Sequence, residues 1–357
     1  MVDMTGFNRS FICLGAIASA LALSACGDTG AGGDGASSAG EVNIYTARHY
    51  ASDYAVYEAF TEATGIKVNY IEADGDLLIE RVRLDAERSP ADIVITVDAG
   101  RLWRAEQADL FQPAPELEDA LGDIPSNLRH PDGDWFGFSA RVRGIAYAPE
   151  RVDASTITDF ADLADPRFEG RICVRSSSNV YNQSLLAALI NTAGAEVAEN
   201  WAEGLVNNLA RTPQGGDTDQ IRAVSAGECD LAIVNHYYAA RLKNSDDEAD
   251  RAVGESVEFF MPPLAGAGAH VNISGAGLAA NAPNRDNAIA FLEFLLSEDG
   301  QRFFPELTNE YPVIESVSYD NGVLDAFGPV QADPVNVNAL GENAAEAQRI
   351  FDRVGWP

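Results

Sequence analysis

Residues 42–96 read VNIYTARHYASDYAVYEAFTEATGIKVNYIEADGDLLIERVRLDAERSPADIVIT. Three short apolar, β-branched runs at 42–46, 66–71 and 92–96 alternate with two longer amphipathic stretches. The first stretch predicts a helix over 53–64, capped near Ser52 or Asp53 and stopped by Gly65; the second predicts a helix over about 75–88, ended by Pro90. Strands alternating with helices of this length predict an α/β fold with largely parallel pairing.

The same rhythm returns downstream. A β-rich stretch covers 135–148, and a second series starts at Arg171, with a strand at 172–174 and a helix over 179–192. A helix over 218–226 leads into a strand at 231–234, and 257–261 and 270–279 read as further strands. Residues 284–296 form an amphipathic helix with Ile289, Leu292 and Leu296 on one face. Two α/β lobes of similar size joined by crossing strands would leave a cleft between them, a place that ligands favour.

The chain has 357 residues, enough for two domains, and 46% of them are hydrophobic, enough for a sizeable core. Lys and Arg number 24 against 55 Asp and Glu, a formal charge of -31 that repels phosphate backbones and argues against a nucleic-acid partner. Net charge does not report the charge inside a cleft.

The run 11–23 is apolar, preceded by Arg9 with Asp3 offsetting it, and has the length of a signal-peptide core. Leu23-Ser24-Ala25-Cys26 then resembles a lipobox, so 1–26 is expected to be a lipoprotein signal peptide with Cys26 as the acylated residue. Residues 27–40 are Gly, Ala, Ser and Asp with one Thr, have little apolar bulk and read as a flexible tether. Gly30, Gly32 and Gly35 match G-x-G-x-x-G, but no strand precedes them and no helix follows closely. No later segment is apolar for long enough to span a membrane. Cys13 falls in the leader, which leaves Cys173 and Cys229, each at the start of an apparent strand. They are either a disulfide in an oxidising compartment or two buried thiols. Neither C-x-x-C nor H-E-x-x-H occurs, so ordinary zinc sites are unsupported.

Aromatic hydroxyls gather just past three strand ends, in residues 43–50 (NIYTARHY), 175–182 (RSSSNVYN) and 230–238 (DLAIVNHYY). In an open α/β sheet the carboxyl ends of strands line the ligand crevice, so the three could converge on one site. Any one tyrosine is ordinarily a packing residue, and Tyr54, Tyr57 and Tyr70 are read that way, as His130 and His270 are read as structural. Tyr237 and Tyr238, being adjacent, cannot both face a core in a continuing strand.

These stretches resemble the iron-site motifs of the ferric-iron-binding proteins of bacterial ABC importers, especially the cyanobacterial-type branch. The likeness extends through 171–184, 227–238, 272–277 and 294–301 to 310–313, with the C-terminal pieces weakly specific. It implies a periplasmic-binding-protein type II fold: two α/β lobes joined by crossing hinge strands, with the ligand cleft between them. The corresponding lobes are about 41–135 with 264–315, and about 136–263 with 316–357. It further implies an extracytoplasmic protein that is not an enzyme, binds Fe3+ (with Fe2+ as an alternative guest), and passes the ion to a permease and ATPase. The expected form is a monomer in the periplasm or at the cell surface, held to the membrane by lipid alone. The implied ligands are His49 and Tyr50 from the first lobe and Tyr181, Tyr237 and Tyr238 from the second, closed around the ion. Arg141 is the implied counter-charge, with Arg48, Arg143 and Arg241 as alternatives. Where many relatives carry a third consecutive tyrosine and a small polar residue before the pair, this chain has Ala239 and His236, the latter either a group supporting the ligands from behind or, as the preferred expectation, an exposed neighbour.

The chemistry agrees independently: Fe3+ is a hard acid that prefers anionic oxygen, and a bound cation favours the ionised phenol. The rival reading is an organic cation or oxyanion held on the same fold, with tyrosines as stacking walls and arginines as clamps. The run Ser176-Ser177-Ser178 lacks a G-x-S-x-G setting and a paired histidine, so helix capping explains it better than a nucleophile.

Overall fold

The computed structural model describes residues 40–357; the leader, Cys26 and nearly all of the tether lie outside the described residues. The first α/β series runs β1 (Glu41–Thr46), α1 (Ala51–Thr64), β2 (Lys67–Glu72), α2 (Gly75–Asp85), β3 (Ile93–Val97), α3 (Ala99–Glu106) and the short α4 (Glu118–Gly122). β4 (Phe136–Tyr147) leads to the second series: β5 (Ile172–Cys173), α5 (Val180–Ala193), α6 (Ala195–Asn207), α7 (Asp217–Ala226), β6 (Leu231–Asn235), α8 (His236–Lys243) and α9 (Glu248–Glu255). The chain then returns through β7 (Glu258–Phe260), β8 (Val271–Leu278), α10 (Arg285–Leu296), α11 (Glu298–Thr308) and β9 (Tyr311–Pro312). It ends in α12 (Gly322–Phe327), α13 (Asn338–Glu342) and α14 (Ala344–Val354).

Local chemistry sets the ends. Gly65 takes φ 73°, and its N–H reaches Thr61 O, closing α1 in the left-handed turn that a glycine adopts freely. Asn179 caps α5 by accepting from the Tyr181 N–H at 3.2 Å.

The strands lie in the order β2-β1-β3-β8-β4-β6-β5, with β7 and β9 also on β4. Pairing is mixed rather than largely parallel. β1 pairs parallel with β2 and β3, and β5 with β6, whereas β4 and β8 run antiparallel to every neighbour. Connectivity explains the difference: strand–helix–strand series give parallel pairs, and β4 and β8 are long strands that cross between the two series. β4 spends its first half, from Phe136 to Val142, on β8 and its second, from Arg143 to Tyr147, on β6, so one strand serves two half-sheets.

Both half-sheets are covered on two faces. In the first, Ile44, Ile93 and Ile95 pack into the main core, while Tyr45 and Val94 turn to a second cluster with Leu78 and Val82 of α2. In the second, Leu231 and Ile233 join the main core, while Ala232 and Val234 face Ile221 and Val224 of α7. This alternation is the period-two consequence of the pleat. A disulfide between Cys173 and Cys229, with Cα atoms 5.9 Å apart, joins β5 to the entry of β6. Among the described residues, no helix is long and apolar enough to cross a membrane.

Candidate functional site

The tyrosines singled out in the sequence sit in the first turns of helices. Tyr50 is the residue before α1, and its N–H donates to Asp53 Oδ2 at 2.8 Å. Tyr181 is the second residue of α5, and Tyr237 and Tyr238 are the second and third residues of α8, which follows β6 directly. A helix turns about 100° per residue, so the adjacent pair can share one cavity without either side chain leaving it. The partial positive charge of a helix N-terminus favours an ionised phenol there.

The structure brings these side chains together around Arg141, a buried residue of β4. Arg141 Nη1 lies 3.4 Å from the Tyr181 hydroxyl and Nη2 lies 3.4 Å from the Tyr50 hydroxyl. The Tyr237 hydroxyl is 3.4 Å from that of Tyr181 and accepts from Asn235 Nδ2 at 3.2 Å. The Arg141 guanidinium is 4.6 Å from the Tyr237 ring centre, and the Tyr237 and Tyr238 rings are 4.4 Å apart. His49 is exposed, its ring 5.3 Å from that of Tyr50.

Burial pushes the phenols of Tyr50, Tyr237 and Tyr238 up from the ordinary tyrosine range; Arg141 pulls Tyr50 and Tyr237 back down only in part. The structure therefore holds protonated phenols that a strong cation could ionise together.

The remaining arginines divide by what they touch. Arg48 is buried and donates to Asp53 at 2.7 Å and to Glu310 at 2.9 Å, with its guanidinium 4.8 Å from the Tyr50 ring centre. Arg143 is taken up by Asp217 at 3.2 Å, Asn235 at 3.0 Å and Asn182 at 2.6 Å, and reaches no phenol oxygen. Arg241 is exposed, 5.3 Å from the Tyr238 ring centre.

His236 corrects one expectation: it is fully buried, not an exposed neighbour. Its ring stacks on Tyr311 at 4.7 Å and its Nδ1 accepts from the Val142 N–H at 3.0 Å. Burial pushes its pKa down to about 4, so it is a neutral packing residue under the tyrosine pair. Sequence reasoning also passed over Glu310. It is 1% exposed and accepts from Arg48, Arg141 and the hydroxyls of Ser139 and Ser274. Its only sequence signal was a place in the weakly specific stretch 310–313.

Among the described residues one other group could gather metal ligands: Glu106, His130 and Asp134. His130 there accepts the Asp132 N–H at 3.2 Å on Nδ1 and faces Glu106 at 3.2 Å with Nε2, and the Trp135 indole donates to the same carboxylate at 2.9 Å. The ring is thus used on both sides by protein partners, which suits a structural role.

Residues 88–333 match the family model described as bacterial extracellular solute-binding protein. The chain is 50% identical to iron uptake protein A2 of Synechocystis over 319 residues, 88% of this chain and 90% of that one. It superposes with a TM-score of 0.85 on the Trichodesmium protein IdiA, also called FutA, solved in complex with iron and citrate. That match is at 49% identity over 89% of this chain and 100% of the other. The ferric binding protein of Campylobacter jejuni gives a TM-score of 0.82 at 39% identity over 88% of this chain and 100% of its own.

Proposed function

Because this chain belongs to the bacterial extracellular solute-binding proteins, a family of binding proteins rather than enzymes, we propose that it captures Fe3+ outside the cytoplasm and delivers it to an ABC-type importer. Tyr50, Tyr181, Tyr237 and Tyr238 hold the ion as phenolates in this reading. His49, exposed beside Tyr50, joins them only if its ring turns inward. The observation that carries the reading is the clustering itself: the Tyr181 hydroxyl lies 3.4 Å from the Tyr237 hydroxyl and 3.4 Å from Arg141, which is 3.4 Å from the Tyr50 hydroxyl. Phenols from three separate helix starts meet where a hard trivalent cation would find anionic oxygen on several sides. The names of the relatives, an iron uptake protein and a ferric binding protein, support the same cargo.

Four phenolates exceed the charge of Fe3+ by one, and Arg141 is placed to offset the excess. Iron that bridges phenols from both α/β series favours a closed form, which a permease would recognise and an ATPase would empty. Cys26 carries the lipid that keeps the protein near that permease, and the chain works as a monomer.

The test is metal analysis and the visible spectrum of the purified chain with and without ferric citrate, beside a Tyr237→Phe, Tyr238→Phe double variant. Fe3+–phenolate charge transfer absorbs visible light, so about one iron per chain with a visible band that the variant loses is the expected result. A colourless, metal-free protein indistinguishable from its variant would move the cargo to an organic cation or oxyanion.

A further inference from the structure

Glu310 follows Asn309, which ends α11 in the left-handed conformation at φ 58° and so turns the next residue inward, just ahead of β9. Its two carboxylate oxygens gather donors from three parts of the sheet. Arg48, past the end of β1, donates through Nη1 at 2.9 and 3.2 Å; Arg141 of β4 donates through Nη2 at 3.1 Å. The hydroxyls of Ser139, also on β4, and of Ser274 on β8, at 3.4 Å, complete the set. A carboxylate so surrounded stays ionised despite burial: burial opposes the charge, but Arg48 and Arg141 outweigh it and hold the group down to about 2.

Among the described residues no phenol hydrogen-bonds this carboxylate, and Arg141 connects it to the tyrosines. Nη2 of Arg141 is shared between Glu310 and the Tyr50 hydroxyl, Nη1 points to Tyr181, and Nε has no partner. Among the described residues Glu310 is the one acid that pairs with Arg141. Arg48 and Arg141 carry two positive charges, and Asp53 and Glu310 carry two negative ones. The four therefore add no net charge; they hold an oriented one, with the cationic end at the phenol oxygens. Resting on the iron reading above, we infer that Glu310 is a positioning residue for the cargo: it pins the Arg141 guanidinium against the oxygens of Tyr50 and Tyr181, where bound Fe3+ leaves surplus negative charge. Fixing the counter-charge in advance removes the cost of bringing it in when the ion arrives.

The experiment compares three full chains loaded with ferric citrate: the parent, Glu310→Gln, and Arg48→Gln with Glu310→Gln. The double variant keeps the buried charges balanced, Arg141 against Asp53, and so guards against a single variant that fails to fold; circular dichroism checks each fold. The readouts are the position of the visible band and the rate at which excess EDTA strips the iron. Loss of one positioned charged hydrogen bond predicts release about tenfold faster, with a displaced band in whichever variant folds. A merely structural role would lower the melting temperature and leave band and release rate alone. A coloured parent whose folded variants match it in both readouts overturns this inference and spares the iron reading; a colourless parent overturns both.

Discussion

If the four tyrosines bind as phenolates, capture of iron must expel their protons, and the affinity must climb steeply with pH. An ordinary phenol has a pKa of about 10, so holding one ionised at pH 7 costs about 4 kcal/mol, and four cost about 16 kcal/mol. In this structure the cost is larger still, because burial raises the phenols of Tyr50, Tyr237 and Tyr238 above the ordinary value. The bonds to the ion must offset most of such a sum, and every proton expelled appears in the linkage. Below the phenol pKa values, four protons released per ion give an affinity that changes about ten-thousandfold per pH unit. The sign is fixed: binding releases protons, so affinity rises with pH and iron is lost in acid. The assay is competition against a chelator of known protonation behaviour between pH 6 and 8, checked by direct titration of the protons released on loading. Tyr238→Phe should lower the slope by one proton. A slope of one or less, or a Tyr238→Phe variant with the parent slope, would refute phenolate coordination by this cluster.

Three other outcomes follow from the geometry. The raised phenols of Tyr50, Tyr237 and Tyr238 favour the protonated folded state, so their share of stability is intact below the unfolded value of about 10. It is lost as pH rises above that value, by about 1.4 kcal/mol per unit per group. Urea midpoints of the iron-free chain should fall above pH 10, and fall less in Tyr237→Phe, Tyr238→Phe. Replacing Cys173 and Cys229 by alanine opens a link across 56 residues of sequence, which the chain-entropy estimate puts at about 4 kcal/mol; an unchanged denaturation midpoint under oxidising conditions would contradict it. At Gly341 of α13 an added Cβ would lie 2.3 Å from Trp103 of α3. Gly341→Ala should therefore cost about 1–3 kcal/mol in thermal melts, and a neutral result would mean that the α3–α13 contact can open freely.

The sequence was most legible where chemistry repeats locally. The run 42–96 displays its strand and helix periods directly, and Gly65 stops α1 where the φ of 73° favours a residue without a Cβ. The three tyrosine stretches were visible because strand ends followed by hydroxyl-bearing residues are few. What stayed hidden depends on long-range contact. The antiparallel course of β4 and β8 follows from where the chain returns, which periodicity does not encode. His236 is expected to be exposed from the sequence, yet its ring packs on Tyr311, a residue 75 positions away. Glu310 is one carboxylate among 55 acidic residues, and nothing local separates it from the solvated majority. Only burial among Arg48, Arg141, Ser139 and Ser274 does so.

The same contrast resolves the tension between an acidic protein and a site built for anionic oxygen. The formal charge of -31 belongs mostly to the surface. Around the tyrosine rings lie five guanidinium groups, those of Arg48, Arg141, Arg143, Arg175 and Arg241, each within 6.0 Å of a ring centre. Three carboxylates, Asp53, Asp217 and Glu310, pair with them. Two positive charges are left over before any phenol ionises. Four phenolates with a trivalent ion then bring the cluster to a single positive charge, whereas four phenolates without the ion would leave two negative ones in a largely buried space. If the tyrosines are the ligands, the arginines would not attract the cation; they would make the multiply ionised donor set tolerable once it is there. On that reading surface acidity and site basicity would act on different steps: the first would raise the local concentration of cations near the protein, and the second would decide how many protons the site can give up.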